Sequence, residues 1–177
     1  MEHKLRRWQL GGFLFTSAAG TLLHYLYEWS GEFPLVGTIS AVNESVWEHM
    51  KLLFIPMFFF SLLEASVFGS KYQVFWRAKL IGILTGLLLI PTIYFTYTGA
   101  LGFRKVWIDI SIFYIAAAVA HLIETLLLSR EHQHPSVLEV AAMLIIWLLA
   151  LVFLYFTYFP PHLPIFQDPI TFIYGIA

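Results

Sequence analysis

Residues 41–69 read AVNESVWEHMKLLFIPMFFFSLLEASVFG, and the reading of this stretch decides the architecture of the whole chain. From Leu52 onward it is an almost unbroken apolar run, yet it is entered through Glu44, Glu48, His49 and Lys51. A run of about 18 or more apolar residues is long enough to cross a bilayer. Inside hydrocarbon the backbone must satisfy its own hydrogen bonds, which leaves only helices and closed barrels. No alternation of period two competes, so the stretch is a membrane-spanning helix over residues 42–69, capped by Asn43. Pro56 within it removes a donor and marks a kink or an opening.

Four more runs of the same kind occupy residues 10–29, 80–97, 106–128 and 137–158. The expected fold is therefore all-α: one integral membrane domain, residues 1–177, built as a bundle of five transmembrane helices. Composition agrees, because only 12% of residues are charged and 59% are hydrophobic, whereas soluble domains carry roughly 25% charged residues. A net charge of -1 leaves no basic face for phosphates, which excludes a nucleic-acid partner and leaves membrane lipids as the evident one. The absence of cysteine removes disulfides, thiolate metal sites and cysteine nucleophiles.

The basic start HKLRR, followed by Ser17-Ala18-Ala19, has the outline of a cleavable signal, but cleavage would strip the polar face of the first helix, so residues 10–29 are read as a retained span. Lys4, Arg6, Arg7, Lys71, Arg77, Lys79 and Arg130 then fall on one side of the membrane, and Lys51, Arg104 and Lys105 on the other. That bias places the N-terminus in the cytoplasm and the C-terminus outside, in a multi-pass cell-membrane protein. His132 and His134 join Arg130 in a solvated loop.

Counting about 1.5 Å of rise per residue sorts the polar groups into two tiers. His24, Glu48, His49 and Asp109 lie near the outer surface, and Glu64, His121 and Glu124 nearer the cytoplasmic side. His24 and Glu28 share a helix face, as do Glu44 and Glu48, with His49 turned about 100° away. Buried ionisable residues in a bilayer need partners or a wet cavity. Imidazole and carboxylate groups projecting into a bundle suit divalent Zn, Mn, Fe or Co. The expected metal set is His24, Glu28, Glu48 and His49, with Glu44 and Glu48 as catalytic carboxylates and Asp109 nearby. A metal such as Zn there would polarise a carbonyl or activate water on a lipid-like or small amphiphilic substrate. Two other readings remain open: a proton or cation pathway through the tiers, and a non-catalytic membrane partner.

The tail PPHLPIFQDPITFIYGIA, residues 160–177, has too many prolines for a sixth span and too much apolar surface to hang in water. It is expected to fold over the outer tier as a lid, carrying His162 and Asp168 towards it.

The strings HYLYEWSG, AVNESVWEHMKLLF and PIFQDPITFIYGIA resemble an uncharacterised family of small bacterial integral-membrane proteins of unknown function, with NESVWEH as the distinctive string. That resemblance implies a polytopic inner-membrane fold and no particular activity. His24 and Glu28, beside Trp29, are also distantly similar to the sterol-isomerase and sigma-2-receptor-like family. This second likeness implies a shift of a double bond in a membrane lipid by acid and base groups without metal.

Overall fold

A computed structural model describes residues 2–69, 71–130 and 137–176. His132 and His134 lie outside the described residues. The chain forms α1 (Glu2–Trp29), α2 (Pro34–Gly37), α3 (Val46–Phe68), α4 (Phe75–Leu101), α5 (Val106–Ser129), α6 (Val137–Tyr158) and a 3-10 turn (Pro164–Phe166). Helices α3 to α6 are each long and apolar enough to cross a membrane, which makes the chain a multi-pass membrane protein. The first helix, α1, is also long, at 28 residues, but more mixed: Leu10, Leu14 and Leu22 are exposed while Gln9 and Thr16 are buried.

The stretch over residues 41–69, which forms α3, is the hub. In α3, 67% of the most apolar window is buried inside the protein, against 17% in α6. Helices α1, α5, α4 and α6 follow one another in an arc, and α3 packs against all four. The arc leaves Leu88, Leu144, Leu151 and Leu154 facing outward, a surface that lipid covers.

Small residues set the closest approaches. Gly82 and Gly86 on α4 lie against Ala116 and Ala120 of α5, where a Cβ on Gly82 would come within 2.9 Å of the Ala120 carbonyl. Spacing small residues four apart lets two helix backbones meet along one stripe. Between α1 and α3 the corresponding contact is Gly20, whose Cβ would sit 2.8 Å from the carbonyl oxygen of Leu52. Pro56 cannot donate to that carbonyl, so the proline leaves the oxygen facing α1.

The start of α3 differs from the expectation. Ser45, not Asn43, is the N-cap: its hydroxyl accepts from the Glu48 amide at 3.3 Å, and Asn43 Oδ1 instead accepts from the Ser45 amide at 2.9 Å. The helix therefore begins at Val46, and Glu44 belongs to the loop before it. Lys51, counted from the sequence among the basic residues on the outer side, is buried within α3. Its ammonium pairs with Glu48 at 2.6 Å and donates to Gly37 O at 2.7 Å and Thr157 Oγ1 at 2.9 Å. Glu48 in turn accepts from the Val42 amide at 3.1 Å. This pair staples the loop between α1 and α3 to the bundle, and the buried Ser40 hydroxyl fastens the same loop to α1 by accepting from the Tyr27 amide at 2.9 Å.

After α6 the chain doubles back. Asp168 accepts from the Glu44 amide at 3.2 Å, Asn43 Nδ2 donates to Gly175 O at 3.1 Å, and Phe166 lies on Trp47 with ring centroids 4.7 Å apart. The loop that carries Glu44 is thus held from three sides: by α1, by α3 and by the C-terminal segment.

Candidate metal centre

His24 lies near the C-terminal end of α1 and His49 in the first turn of α3, and the Glu44 loop runs between them. The imidazole of His24 approaches Glu44 with Nε2 3.5 Å from Oε1, and that of His49 with Nε2 3.9 Å from Oε2. One ligand atom from each of the three residues lies within 4.8 Å of the others. Tetrahedral zinc bound at about 2.0–2.1 Å holds its ligand atoms roughly 3.3 Å apart, so a small contraction closes this set.

The chemistry of the donors fits such an ion. His49 Nδ1 is 2.9 Å from the Ser45 carbonyl, which can only accept. Its proton therefore sits on Nδ1 and the Nε2 lone pair is directed at the triad, the arrangement common among metal-bound histidines. His24 Nδ1 is buried and has no hydrogen-bond partner among the described residues. The nitrogen that faces Glu44 is Nε2, so an ion held there would leave Nδ1 as it is.

Behind the triad stands a charged relay. Arg104 Nη2 is 3.3 Å from Glu44 Oε2, its Nε is 2.6 Å from Asp109 Oδ2, and the Tyr97 hydroxyl donates to Asp109 Oδ1. Asp109 is thereby committed to Arg104 and Tyr97, and it orients the guanidinium that orients Glu44.

Two cavities meet at the triad. One, of about 250 Å³, lies between α1 and α5 and is lined mainly by Gly20, Leu52, Val106, Ile110 and Phe113, with His24, His49, Glu44 and Arg104 at its end. The other, of about 270 Å³, lies beneath the C-terminal segment and is lined by polar groups including Glu28, Glu32, Asn43, Asp168 and Thr171. His24 and Glu44 belong to both walls.

Of the predicted ligands the structure brings His24 and His49 together, with Glu44 as their carboxylate. Glu48 is elsewhere, buried in its pair with Lys51, which corrects its expected place among both the ligands and the catalytic groups. The cause is the shifted helix start: the shared-face argument for Glu44 and Glu48 assumed that both were helical. Glu28 is exposed and lines the polar cavity without joining the triad. Asp168 reaches the Glu44 backbone, whereas His162 packs on Tyr174 at 4.7 Å and is exposed.

Glu64, His121 and Glu124 do meet, in a second cluster. Lys79 bridges Glu64 and Glu124, Gln9 Nε2 donates to Glu64 at 3.0 Å, and His121 has Nε2 3.1 Å from the Thr16 hydroxyl and Nδ1 3.5 Å from Glu124. Thr16 and His24 are eight residues apart on α1, about 12 Å along its axis. Sequence reasoning missed Arg104, Tyr97, Gln9, Thr16 and Lys79. Lys79 stands at the edge of the apolar run over 80–97, where it reads as one more flanking charge beside Arg77.

Curated proteins and solved structures give no match to this chain, and so lend no support to the sterol-isomerase and sigma-2-receptor-like likeness or to NESVWEH as a signature. A family model does match, over residues 1–176, and it spans the α1, α3 and C-terminal elements that build the triad: the chain belongs to the family of unknown function DUF6512.

Proposed function

We propose that the protein holds one divalent ion, such as zinc, on His24, Glu44 and His49, and uses its remaining coordination position on an amphiphilic, lipid-like substrate. The observation that carries this reading is the convergence of two imidazoles and one carboxylate at the wall between an apolar and a polar cavity. Three protein ligands and one open position are the pattern of catalytic rather than structural zinc. A divalent ion there supplies Lewis acidity and water of lowered pKa. Glu44 is the carboxylate at the reacting centre, and Arg104, set by Asp109, positions it.

In the same reading α1 is a fifth span. With Lys51 and Lys79 now buried in ion pairs, the basic residues divide as Lys4, Arg6, Arg7, Lys71, Arg77 and Arg130 against Arg104 and Lys105. The bias supports a cytoplasmic N-terminus, and with it a triad in the outer leaflet. Elemental analysis of the purified protein tests the metal: about one zinc per chain, lost in His24→Ala and in His49→Ala with helicity retained, is expected. Metal-free protein, or metal undisturbed by both changes, overturns it.

A second reading, a proton pathway, is favoured by the second cluster, where two carboxylates, one ammonium and one imidazole are all buried. Proton flux in liposomes, abolished by His121→Gln but not by His49→Gln, is its distinguishing result.

A further inference from the structure

With α1 as a fifth span, a bilayer around the bundle reaches the cavity between α1 and α5 at its exposed side chains. Its rim carries Tyr25, Val106 and Ile110, which are 45%, 67% and 52% exposed. Thr21 Oγ1 and Tyr114 Oη meet at 2.9 Å and join the two helices across it, with Tyr114 also partly exposed. Gly20 keeps the inner wall thin, because any side chain there would strike Phe113 and the Leu52 carbonyl. A chain entering from the side therefore meets apolar walls first and the charged groups last.

At that inner end the charges are uneven. Glu44 and Asp109 are opposed by Arg104, and a divalent ion on the triad would turn a net single negative charge into a net single positive one. Arg104 has five N–H donors; one reaches Asp109 and one Glu44, and the residue lines the cavity. A guanidinium with donors to spare beside a metal ion is suited to phosphate or carboxylate oxygens. The polar cavity on the far side carries Glu28, Glu32 and Asp168 and would repel an anion, so it suits water or the incoming cation.

From this we infer the class of amphiphile: an anionic membrane lipid, entering sideways between α1 and α5, with its phosphate or carboxylate head on Arg104 and the metal ion and its hydrocarbon chain against Leu52, Ile110 and Phe113. The inference rests on the metal reading for its charge balance. Zinc enters from the polar side and the lipid from the membrane side, so the two ligands do not compete for one entrance.

Native mass spectrometry of the full chain in detergent, with zinc content measured on the same samples, tests it with three probes: dioleoyl phosphatidic acid, dioleoyl phosphatidylcholine and inorganic phosphate. Phosphatidic acid is expected to bind about tenfold more tightly than phosphatidylcholine, and inorganic phosphate more weakly than phosphatidic acid. Arg104→Gln should remove the preference between the lipids. Ile110→Trp, an exposed position unlike Gly20, should remove lipid binding while zinc stays at wild-type level. Zinc-loaded protein that binds both lipids equally, or phosphate as well as phosphatidic acid, overturns the lipid inference and leaves the metal centre. A preference for phosphatidic acid in protein that binds no zinc overturns the metal centre and leaves the anion site on Arg104.

Discussion

Glu44 and Glu48 are four residues apart and have opposite roles. Glu44 faces two imidazoles with its side chain one-third exposed, while Glu48 is buried against the Lys51 ammonium. Removing one partner of a buried pair strands the other charge and costs about 3–5 kcal/mol. Glu48→Gln is therefore expected to lower thermal stability strongly while leaving zinc stoichiometry intact in the protein that remains folded. Glu44→Gln is expected to do the reverse, losing zinc with little change in unfolding temperature. Zinc titration and thermal unfolding in the same detergent check both, and a zinc loss confined to Glu48→Gln would refute the assignment. The sequence showed that imidazoles and carboxylates gather at this place, but not which carboxylate turns inward. That choice depends on whether the helix is capped by Asn43 or by Ser45, both good caps two residues apart. Lys51 was equally ambiguous: a lysine at a helix mouth reads as a solvated charge unless its acceptors, Gly37 O and Thr157 Oγ1, are known, and both come from distant parts of the chain.

The apolar helices were legible as elements because the membrane enforces length and composition on each of them separately. The run over residues 137–158 coincides with α6 and that over 106–128 nearly with α5, whereas α3 starts four residues later than expected, α1 starts eight earlier, and α4 starts five earlier and ends four later. How the helices pair is not written in hydropathy, since every outward face is as apolar as every inward one. Pairing follows instead from where backbones can approach, as in the Gly82-Ile83-Leu84-Thr85-Gly86 stripe against Ala116 and Ala120. A Cβ on Gly82 would lie 2.4 Å from Glu124 Cγ and 2.9 Å from the Ala120 carbonyl, and a helix backbone cannot yield as a side-chain tip does. Gly82→Ala is therefore expected to destabilise the bundle by about 1–3 kcal/mol. Gly11→Ala, with nothing within 4 Å of the added methyl, is expected to stabilise α1 slightly, by about 0.5–1 kcal/mol. Thermal unfolding of the two variants side by side reads opposite signs if backbone approach governs the α4–α5 contact, and the same sign if it does not.

At the scale of the whole molecule, the site depends on the last residues of the chain as much as on the helices. Asp168 is nearly buried, and its carboxylate accepts from Ile170 N at 2.6 Å, Thr171 N at 3.1 Å and Glu44 N at 3.2 Å. Burial works against its charged form, but the Ile170, Thr171 and Glu44 amides outweigh it and hold the carboxyl below the ordinary carboxylate range. A carboxyl depressed in the folded state contributes stability that is fully present above its unfolded value, about 3.9, and is lost as pH falls through the lower folded value. The docking of the C-terminal segment should thus be insensitive to pH from neutrality down to about 4 and weaken below it. Asp168→Asn removes the charge at every pH. It is expected to loosen residues 168–175 already at pH 7, and to weaken zinc binding by about tenfold or more, since the amide it releases belongs to a ligand residue. Hydrogen-exchange protection of that segment, corrected for intrinsic rates and followed from pH 7 to pH 3, should fall with acid in the natural chain and start low and stay flat in the variant. Equal protection in the two proteins at pH 7, with unchanged zinc affinity, would mean that the segment covers the site without holding it.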